Sequence, residues 1–362
     1  MEFVESMEGS EMTTANAAEF GVLLSDVRKR IDERLVDWLK PRVAAATAIS
    51  EEVGAVAAAV NELALRGGKR MRAALVAAGF GSRAWVGVCE PAMMAVELLQ
   101  TYLLIHDDWM DDDPVRRGGP SVHMILREKL GTRSLGDAAA ILAGDLASGY
   151  AQSALLETQL PSERLLRAVR AFARTQVDVV TGQLAEMRGA VRTGPLPSVE
   201  TIHALKTASY TVTGPLLLGA TLAGADDARC AELERFGRPL GIAFQLRDDL
   251  LGVFGDPTAT GKPVWNDIRQ GKRTTLVTEL RGNARAEKVL ARAFGNVDAT
   301  HDELEAVVRV MEESGARGRV EARIRELCEE ARRVLDVMSP SLTDEGRAWL
   351  GGAIAALGER SS

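Results

Sequence analysis

Apolar side chains recur at helical spacing along this chain, and that spacing limits the fold to helices packed on helices. Val27, Ile31, Leu35 and Leu39 follow one another at four-residue intervals, which places them on one face of a helix. Hydrophobic residues make up 46% of the 362 residues and aromatic residues only 4%. A mixture dominated by Ala and Leu favours helices. We therefore predict an all-α fold.

The helical pattern begins near residue 21. Residues 1–20 show no lasting apolar period, so we predict a flexible N-terminal tail there and one folded domain over residues 21–362. Pro41 is expected to end the first helix, because its ring and its missing N–H group disfavour a further turn. The length by itself allows one large domain or two.

Composition excludes several classes of protein. The net charge of −7 disfavours a nucleic-acid binder, which normally has a basic face. The chain has neither a basic leader with an apolar run nor an uninterrupted apolar stretch of about 18 residues, so we expect a soluble protein without a transmembrane segment. Cys89, Cys230 and Cys328 are widely spaced and indicate neither a disulfide framework nor a thiolate metal site. The cytoplasm is the expected location.

A run of aspartates follows an apolar segment in the first third of the chain. Its members are Asp107, Asp108, Asp111, Asp112 and Asp113. Asp107 and Asp111 are four residues apart and would share one face of a helix end. Carboxylates held that close repel one another unless a cation lies between them. Mg²⁺ prefers a few carboxylates together with substrate phosphates, so the run predicts a magnesium site.

A second acidic pair, Asp248 and Asp249, also ends an apolar helix. Carboxylates at a helix C-terminus oppose the helix macrodipole. Such a mismatch indicates that a cation compensates the negative charge. The pair is therefore a second candidate for metal binding, and the loop over 261–273 adds further basic residues beside it.

Glycines and basic residues form two candidate anion sites. Gly67 and Gly68 precede Lys69 and Arg72, and paired glycines at a helix start allow backbone N–H groups to approach a diphosphate. A glycine-terminated helix with a solvated basic turn explains this stretch equally well. The arginine pair at 116–117 suits multidentate phosphate recognition.

Several side chains before and after the first aspartates are also informative. Gln100 lies close to two turns before Asp107 and shares its face. Tyr102 lies about 7.5 Å before Asp107 along the helix axis and could close the bottom of a cavity, although spacing alone favours a core aromatic. His106 and His123 form no recognisable metal motif, and we predict packing or hydrogen-bonding roles for both.

Taken together, these segments resemble the trans-isoprenyl diphosphate synthases, the polyprenyl synthetase family. In chain order the matching segments are GGKRMR (67–72), LLQTYLLIHDDWMD (98–111), RRG (116–118), GQLAE (182–186), KT (206–207), FQLRDD (244–249) and GKPVWNDIRQGKRT (261–274). The resemblance implies a single-domain, all-helical isoprenoid-synthase bundle around a central cavity, usually as a homodimer. It also implies Mg²⁺ as cofactor, with three ions when substrate is bound.

The resemblance assigns roles residue by residue. The residues that resemble Mg²⁺ ligands are Asp107, Asp111 and Asp248, with Asp108 and Asp249 in support. Those that resemble the isopentenyl diphosphate site are Gly68, Lys69, Arg72, Gln100 and Arg117. Those that resemble contacts to the allylic diphosphate are Arg116, Lys206, Lys262 and Lys272. Thr207 and Gln245 resemble groups that face the forming cation, and with Lys206 they are the expected catalytic groups.

The implied reaction is chain-elongating prenyl transfer. Metal ions that bridge the aspartates, including Asp248 across the expected cavity, and the allylic diphosphate would neutralise the leaving group. The carbon–oxygen bond then ionises to an allylic carbocation, which the double bond of isopentenyl diphosphate attacks. Loss of a proton to the released diphosphate completes the addition. No protein nucleophile is required, and the chain has no Ser-His-Asp or Cys-His constellation.

The position of Arg116 decides which aspartates are expected to act. If the aspartate motif is taken to end at Asp113, it matches the motif of many bacterial farnesyl enzymes. In those enzymes, however, the arginine pair lies two residues further along. Arg116 stands at the shorter spacing here. Asp107 and Asp111 therefore form the predicted functional frame, and Asp112 is a predicted bystander together with Asp113.

Two other positions bear on metal binding and product length. Gly252 stands where farnesyl synthases often have a third aspartate, so the resemblance supports no metal role beyond Asp248 and Asp249. Tyr102 and Leu103 place one aromatic residue at the two positions that commonly limit product length. This pattern resembles the archaeal-like geranylgeranyl synthases, with a twenty-carbon product made from dimethylallyl, geranyl or farnesyl diphosphate.

Three alternatives remain from the sequence. A farnesyl diphosphate synthase is the nearest. A terpene cyclase shares the fold, but its second metal motif normally contains Asn and Ser rather than Asp248-Asp249, and it does not need Lys69, Arg72 and Arg117. A non-catalytic synthase subunit typically loses its aspartates, whereas this chain keeps both groups.

Overall fold

The computed structural model describes residues 2–190, 197–255 and 264–359. Nearly all of its regular structure is helical, and the only strands in these ranges are β1 (Val115–Arg116) and β2 (Gly119–Pro120), which pair antiparallel. The predicted all-α fold is therefore confirmed. None of the helices in the described ranges is both long and apolar enough to cross a membrane.

The helices follow one another with short connections. Their bounds are α1 (Glu2–Thr47), α2 (Glu51–Leu65), α3 (Met71–Phe80), α4 (Glu90–Met110), α5 (Val122–Leu130), α6 (Arg133–Leu156), α7 (Ser162–Ala190), α8 (Val199–His203), α9 (Gly214–Ala223), α10 (Asp227–Phe254), α11 (Asn266–Arg269), α12 (Thr275–Thr278), α13 (Ala284–Ala293), α14 (His301–Glu313), α15 (Ala316–Met338) and α16 (Asp344–Ile354). A π-helical segment, Ala204–Thr213, lies between α8 and α9.

Side-chain caps determine where several helices begin. The Ser50 hydroxyl accepts the Val53 N–H at the start of α2, and the Ser198 hydroxyl accepts the Thr201 N–H at the start of α8. Each bond satisfies one of the backbone donors that a helix N-terminus leaves without an intrahelical partner. The short polar side chain before each of these helices thus determines where the helix begins.

Helix α1 differs from our expectation at both ends. It begins at Glu2, inside the segment for which we predicted a tail, and it continues through Pro41 to Thr47. The prediction that Pro41 ends the first helix is wrong. Pro41 is solvent-exposed, as is Asp37 four residues earlier, so water can hydrate the carbonyl group that the missing N–H leaves without a donor.

Contacts divide the chain into two compact units. The N-terminal unit comprises Glu19–Ala171 and Pro215–Asp226, and the C-terminal unit comprises Met1–Ala18, Phe172–Gly214 and Asp227–Ser362. The first aspartate group lies in the N-terminal unit and the second lies in the C-terminal unit.

In the N-terminal unit, α4 packs along α6, and α2 and α5 pack against both helices. Residues 92–99 of α4 are all buried. They meet small residues on α6, such as Ala143 and Ala147, which have no exposed surface and allow the two helices to approach closely. Burial of this apolar surface is the main stabilising contribution to the unit. It also holds rigid the helix that ends in the first aspartate group.

A buried arginine connects three helices of the N-terminal unit. Arg70 is 3% exposed and donates to Asp32 on α1 at 2.7 Å, to Glu97 on α4 at 3.0 Å and to the Ala64 carbonyl at 2.9 Å. Glu97 also accepts the Ala73 N–H. Every charge in this buried group therefore has a partner, which such burial requires.

In the C-terminal unit, α10 lies between two neighbours. It packs against the π-helical segment on one side and against α15 on another. Leu240, Ala243 and Leu246 of α10 are fully buried. This packing positions the last turns of α10, where the second aspartate pair lies.

We predict that Arg70→Met lowers the free energy of unfolding by about 3–5 kcal/mol, because it leaves the buried Glu97 carboxylate without its cation. Urea unfolding followed by circular dichroism measures this change. The matched control is Arg333→Met on an exposed position of α15, which should change it by less than about 0.5 kcal/mol. Equal effects of the two substitutions would contradict the role assigned to Arg70.

Candidate functional site

The first aspartate group lies at the C-terminal end of α4. The helix ends at Met110, and the Asp111 N–H donates to the Asp107 carbonyl at 2.9 Å. This local geometry places the two residues one above the other, as their spacing predicted. Both side chains are only partly buried. They can therefore bind a ligand that approaches from solvent.

Asp108 is fully buried and is bound to Arg116 on β1. The Arg116 Nε donates to Asp108 Oδ1 at 2.7 Å, and its Nη2 donates to the same oxygen. Burial raises the pKa of Asp108 to about 6, although the guanidinium group of Arg116 opposes this rise. Arg116, for which the sequence predicted contact with the allylic diphosphate, thus lies buried against Asp108.

The same arginine also approaches two other carboxylates. Its Nη2 lies 3.9 Å from Asp107 Oδ2 and 3.7 Å from Asp113 Oδ2. A tight turn in the hairpin between β1 and β2, with φ of 51° at Arg117 and 72° at Gly118, brings the strands together here. Arg116 therefore partly neutralises the repulsion within the aspartate group.

Asp112, a predicted bystander, is engaged by neighbouring helices instead. Its Oδ1 lies 2.9 Å from Arg127 Nη2 on α5, and its Oδ2 lies 3.4 Å from Arg133 Nη2 on α6. Its φ of 49° turns the chain away from α4. Asp112 therefore forms exposed ion pairs with residues of α5 and α6.

A basic group surrounds the glycine pair, as the sequence predicted. Arg117 Nη1 donates to the Gly67 carbonyl at 2.7 Å, and its guanidinium group lies 3.6 Å from the position that a Cβ of Gly68 would take. Burial lowers the pKa of Arg117, and the charges of Arg70, Arg72 and Arg116 lower it further. The Arg117 guanidinium group thus lies directly beside the glycine pair.

Lys69 is exposed and Arg72 is partly buried beside the glycine pair. Gly67 and Gly68 have φ of 79° and 153°, a backbone form that glycine adopts readily. A concentration of positive charge next to such a backbone suits a diphosphate. The glycine and basic residues are thus brought together in the N-terminal unit.

Three predicted site residues precede Asp107 on α4. Gln100, Tyr102 and Leu103 are all partly buried. Tyr102 packs against the core formed by α2, α5 and α6, and its ring meets the His106 ring edge-on with 4.9 Å between centroids. Tyr102 is thus part of the packed interior.

His106 and His123 hold structural positions. His106 Nε2 is 3.0 Å from the Ile141 carbonyl, and its ring occupies the space where Gly144 lacks a side chain. His123 is fully buried on α5. The predicted packing and hydrogen-bonding role is confirmed for His106, and burial of His123 fits the packing role predicted for it.

In the C-terminal unit, three predicted residues form a hydrogen-bonded chain. The Thr207 hydroxyl donates to Gln245 Oε1 at 2.6 Å, and Gln245 Nε2 donates to Asp249 Oδ1 at 2.8 Å. The chain fixes the orientation of the Gln245 amide. The remaining lone pairs on the Thr207 hydroxyl and the Gln245 carbonyl can therefore face a cation.

Asp249 is buried, whereas the adjacent Asp248 is exposed. Burial raises the pKa of Asp249 well above its ordinary value, and the charge of Asp267 raises it further. Its Oδ2 lies 3.6 Å from His203 Nε2, and burial lowers the pKa of His203 to about 4. The two predicted metal residues of α10 therefore have different surroundings, with only Asp248 open to solvent.

Lys206 is paired with Glu186 of the GQLAE segment on α7. The pairing depends on a close helix contact, because a Cβ on Gly182 would lie 2.6 Å from the Lys206 Cα. Gly241 plays the same part on α10, where a Cβ would lie 2.5 Å from the Ala208 Cα. These glycines bring the π-helical segment against both neighbours and so align Thr207 with Gln245.

Asp267 is a functional candidate that the sequence did not predict, and contacts of Trp265 position it. Trp265 donates its backbone N–H to the Gly252 carbonyl at 2.9 Å and its indole N–H to the Val253 carbonyl at 3.0 Å. These bonds fasten the following loop to the end of α10. As a result, Asp267 Oδ2 lies 3.5 Å from the position that a Cβ of Gly252 would take.

Asp267 thus places a carboxylate near the position where farnesyl synthases often have a third aspartate. Lys272 Nζ lies 3.8 Å from its Oδ1. The only sequence signal was an acidic residue within a basic loop. Lys262, which was predicted to contact the allylic diphosphate, lies outside the described residues.

The donor set suits Mg²⁺ that shares its coordination with a substrate. Within residues 2–190, 197–255 and 264–359, no three His, Cys, Asp or Glu side chains form a group that could hold a metal by themselves. In the N-terminal unit Asp107 and Asp111 offer oxygen atoms to a ligand from solvent, and in the C-terminal unit Asp248 does so. Mg²⁺ typically uses one or two carboxylates and completes its shell with water and phosphate oxygens, so these residues fit that ion.

Comparison with known proteins gives a consistent result. Residues 54–311 match the family model described as Polyprenyl synthetase. The chain is 36% identical over 265 residues to geranylgeranyl diphosphate synthase of Sulfolobus acidocaldarius, with 71% of this chain and 76% of the relative covered. It is 33% identical over 306 residues to (2E,6E)-farnesyl diphosphate synthase of Mycobacterium tuberculosis, with 82% and 79% covered.

A solved structure extends the similarity to nearly the whole fold. The crystal structure of geranylgeranyl pyrophosphate synthase from Corynebacterium glutamicum, complexed with isoprenyl diphosphate and magnesium, superposes with a TM-score of 0.85 at 32% identity. The similarity covers 93% of this chain and 99% of that one. The arrangement of helices is therefore shared well beyond the matched motifs.

We predict that Gly182→Ala lowers the free energy of unfolding by about 1–3 kcal/mol, because the added methyl group overlaps the backbone at Lys206. Chemical unfolding measures this loss. Gly149→Ala is the control, since it is another helical glycine but its Cβ would meet no atom within 4 Å. That control should stabilise the protein by up to about 1 kcal/mol. Stabilisation of similar size at position 182 would contradict the close contact.

Proposed function

The chain belongs to the polyprenyl synthetase family, and from this we propose that it is a Mg²⁺-dependent prenyltransferase that makes geranylgeranyl diphosphate. It would condense isopentenyl diphosphate with dimethylallyl, geranyl or farnesyl diphosphate. The observation that carries the proposal is the pair of aspartate groups at the ends of α4 and α10, each accompanied by basic residues.

We propose the following roles for the charged residues. Divalent ions held by Asp107, Asp111 and Asp248, three in number when substrate is bound, would supply positive charge to the leaving diphosphate. The basic group around Gly68 would bind isopentenyl diphosphate through Lys69, Arg72 and Arg117, with Gln100. Lys206, Lys262 and Lys272 would bind the allylic diphosphate.

The buried residues would act by positioning. Arg116 holds Asp108 and the aspartate group in place, and Asp249 orients Gln245. Thr207 and Gln245 would present oxygen lone pairs to the allylic cation, which stabilises developing positive charge without reorganisation during the reaction. The final proton would pass to the released diphosphate, so no protein base is required.

We predict that Asp107→Asn and Asp248→Asn each lower kcat by about 10²–10³-fold, because each removes an ionised ligand that stabilises the leaving group. Steady-state assays with isopentenyl and farnesyl diphosphates in excess Mg²⁺ measure this loss. Asp112→Asn is the control, since Asp112 pairs with Arg127 and Arg133, and it should retain activity within about threefold. Full activity of the Asp107 and Asp248 variants would sink the proposed metal roles.

The length of the product is tested by incubation with isopentenyl diphosphate, Mg²⁺ and each allylic primer, followed by sizing of the products. A twenty-carbon product supports geranylgeranyl diphosphate synthase. A limit of fifteen carbons with every primer would favour the second candidate, farnesyl diphosphate synthase, which the similarity to the mycobacterial enzyme keeps open. Cyclic hydrocarbon formed without isopentenyl diphosphate would indicate a terpene cyclase.

We predict that Tyr102→Ala lengthens the product by one or more five-carbon units, because it removes the aromatic ring below the first aspartates. Chromatography of the dephosphorylated products measures the change. Tyr150→Ala is the matched control, since Tyr150 packs against the same core but its ring contacts Trp38, and its product should keep the normal length. Unchanged product from Tyr102→Ala would show that another residue limits the chain.

We also propose that the protein acts as a homodimer in the cytoplasm. On α6, Leu142 lies seven residues after Leu135 and Leu156 lies fourteen residues after Leu142, and all three leucines are exposed, so they form an apolar stripe along the helix. Such a stripe suits packing against a second copy. The cysteines Cys89, Cys230 and Cys328 are free thiols, which fits a reducing compartment.

We predict that Leu142→Glu shifts the protein toward the monomer, because it places a charge in an apolar interface. Size-exclusion chromatography with light scattering measures the mass. Asp145→Glu, at an exposed position of the same helix, is the control and should leave the mass unchanged. A wild-type protein that is monomeric at every concentration tested would refute the proposed dimer.

A further inference from the structure

A groove in the C-terminal unit lies apart from all residues assigned above. It has a volume of about 750 Å³ and runs between α10 and α15. Its apolar lining includes Leu250, Leu251, Phe254 and Ile324, together with Cys328. The volume falls within the range of sites that bind small organic molecules. An apolar floor of this size suits a hydrocarbon chain.

The groove also has an excess of positive charge. Two of its arginines are balanced by glutamates that line it as well, because Arg317 Nε lies 3.0 Å from Glu321 and Arg332 pairs with Glu329. The Arg317 guanidinium group is further stacked 4.8 Å from the centre of the Phe254 ring. These two arginines add no net charge to the groove.

The other two arginines, Arg247 and Arg325, are not balanced in this way. Arg247 Nη1 is buried and donates to no acceptor within the described part of the chain. Arg325 is exposed at the groove. This buried guanidinium N–H group is therefore available to donate to an anion bound in the groove.

We propose that this groove binds an isoprenoid diphosphate, with the diphosphate between Arg247 and Arg325 and the hydrocarbon chain over the apolar floor. The choice of ligand rests on the proposed function, because that reaction produces a molecule that combines an anionic diphosphate head with an apolar chain. Arginine recognises diphosphate oxygens through paired N–H groups. The ligand would be the protein's own product, bound at a second site.

The position of Arg247 links such binding to catalysis. Arg247 directly precedes Asp248 on α10, and consecutive residues of a helix point about 100° apart. One turn of α10 therefore presents Asp248 to solvent on one side and Arg247 to the groove on another. Product bound in the groove would shift the conformation of the helical turn that carries Asp248, a proposed metal ligand.

The test measures binding without metal. Equilibrium dialysis of the full chain with labelled geranylgeranyl diphosphate in excess EDTA removes the contribution of Mg²⁺-dependent sites. We expect one bound molecule per chain. Arg247→Met, which keeps an unbranched side chain but removes the guanidinium group, and Arg325→Gln should each weaken binding by at least about tenfold. Arg333→Gln, on the same helix as Arg325 but outside the groove, should leave it unchanged.

Further measurements separate the possible failures. If Arg247→Met unfolds, as circular dichroism would reveal, Arg325→Gln at its exposed position decides the question. No binding in EDTA, or equal binding by wild type and the folded variants, would overturn the proposal. Equal affinity for inorganic diphosphate would overturn the role of the apolar floor. Loss of prenyl transfer activity in the wild type would contradict the proposed function, whereas binding in EDTA is measured independently of turnover.

Discussion

Two aspartates, Asp108 and Asp249, are buried in the last two turns of α4 and α10, and the rest of the candidate site depends on how their charge is accommodated. The helix macrodipole disfavours a carboxylate at this end, and burial disfavours it further. Asp108 is stabilised by a direct ion pair with Arg116, which the β1–β2 hairpin holds in place. Among the residues that the structure describes, no arginine pairs with Asp249, which accepts instead from the Gln245 amide. The neighbouring aspartates are left open to solvent, where a metal and a substrate can reach them.

The stabilisation of each buried aspartate requires a particular tertiary contact. The hairpin brings Arg116 back over α4, and the interhelical contacts at Gly182 and Gly241 bring the π-helical segment to α7 and α10. The π-helical backbone adds a residue to the usual turn, a feature often found at functional sites. Within this segment Lys206 pairs with Glu186, and Thr207 donates to Gln245. Close backbone approach thus produces the polar chain of the C-terminal unit.

Much of the local structure followed from the sequence because it depends on spacing of four residues or fewer. Helical periodicity predicted the all-α fold, and the interval between Asp107 and Asp111 predicted their shared face. The prediction at Pro41 failed because an exposed proline can be tolerated where water replaces the lost donor. The ion pairs of Asp112, a predicted bystander of the metal site, could not be foreseen, since its partners Arg127 and Arg133 lie on later helices. No local pattern contains that pairing.

The sequence by itself determined the helical class, the two aspartate groups, the glycine and basic motifs, and through them the resemblance to a family. These features depend on residue type and short-range spacing, which backbone geometry makes periodic. Only the tertiary structure decided which aspartates are buried, that Arg116 neutralises Asp108, and that Asp267 lies beside Gly252. It also revealed the groove at Arg247. Such contacts join residues far apart in the chain, and their energies depend on burial, which spacing does not encode.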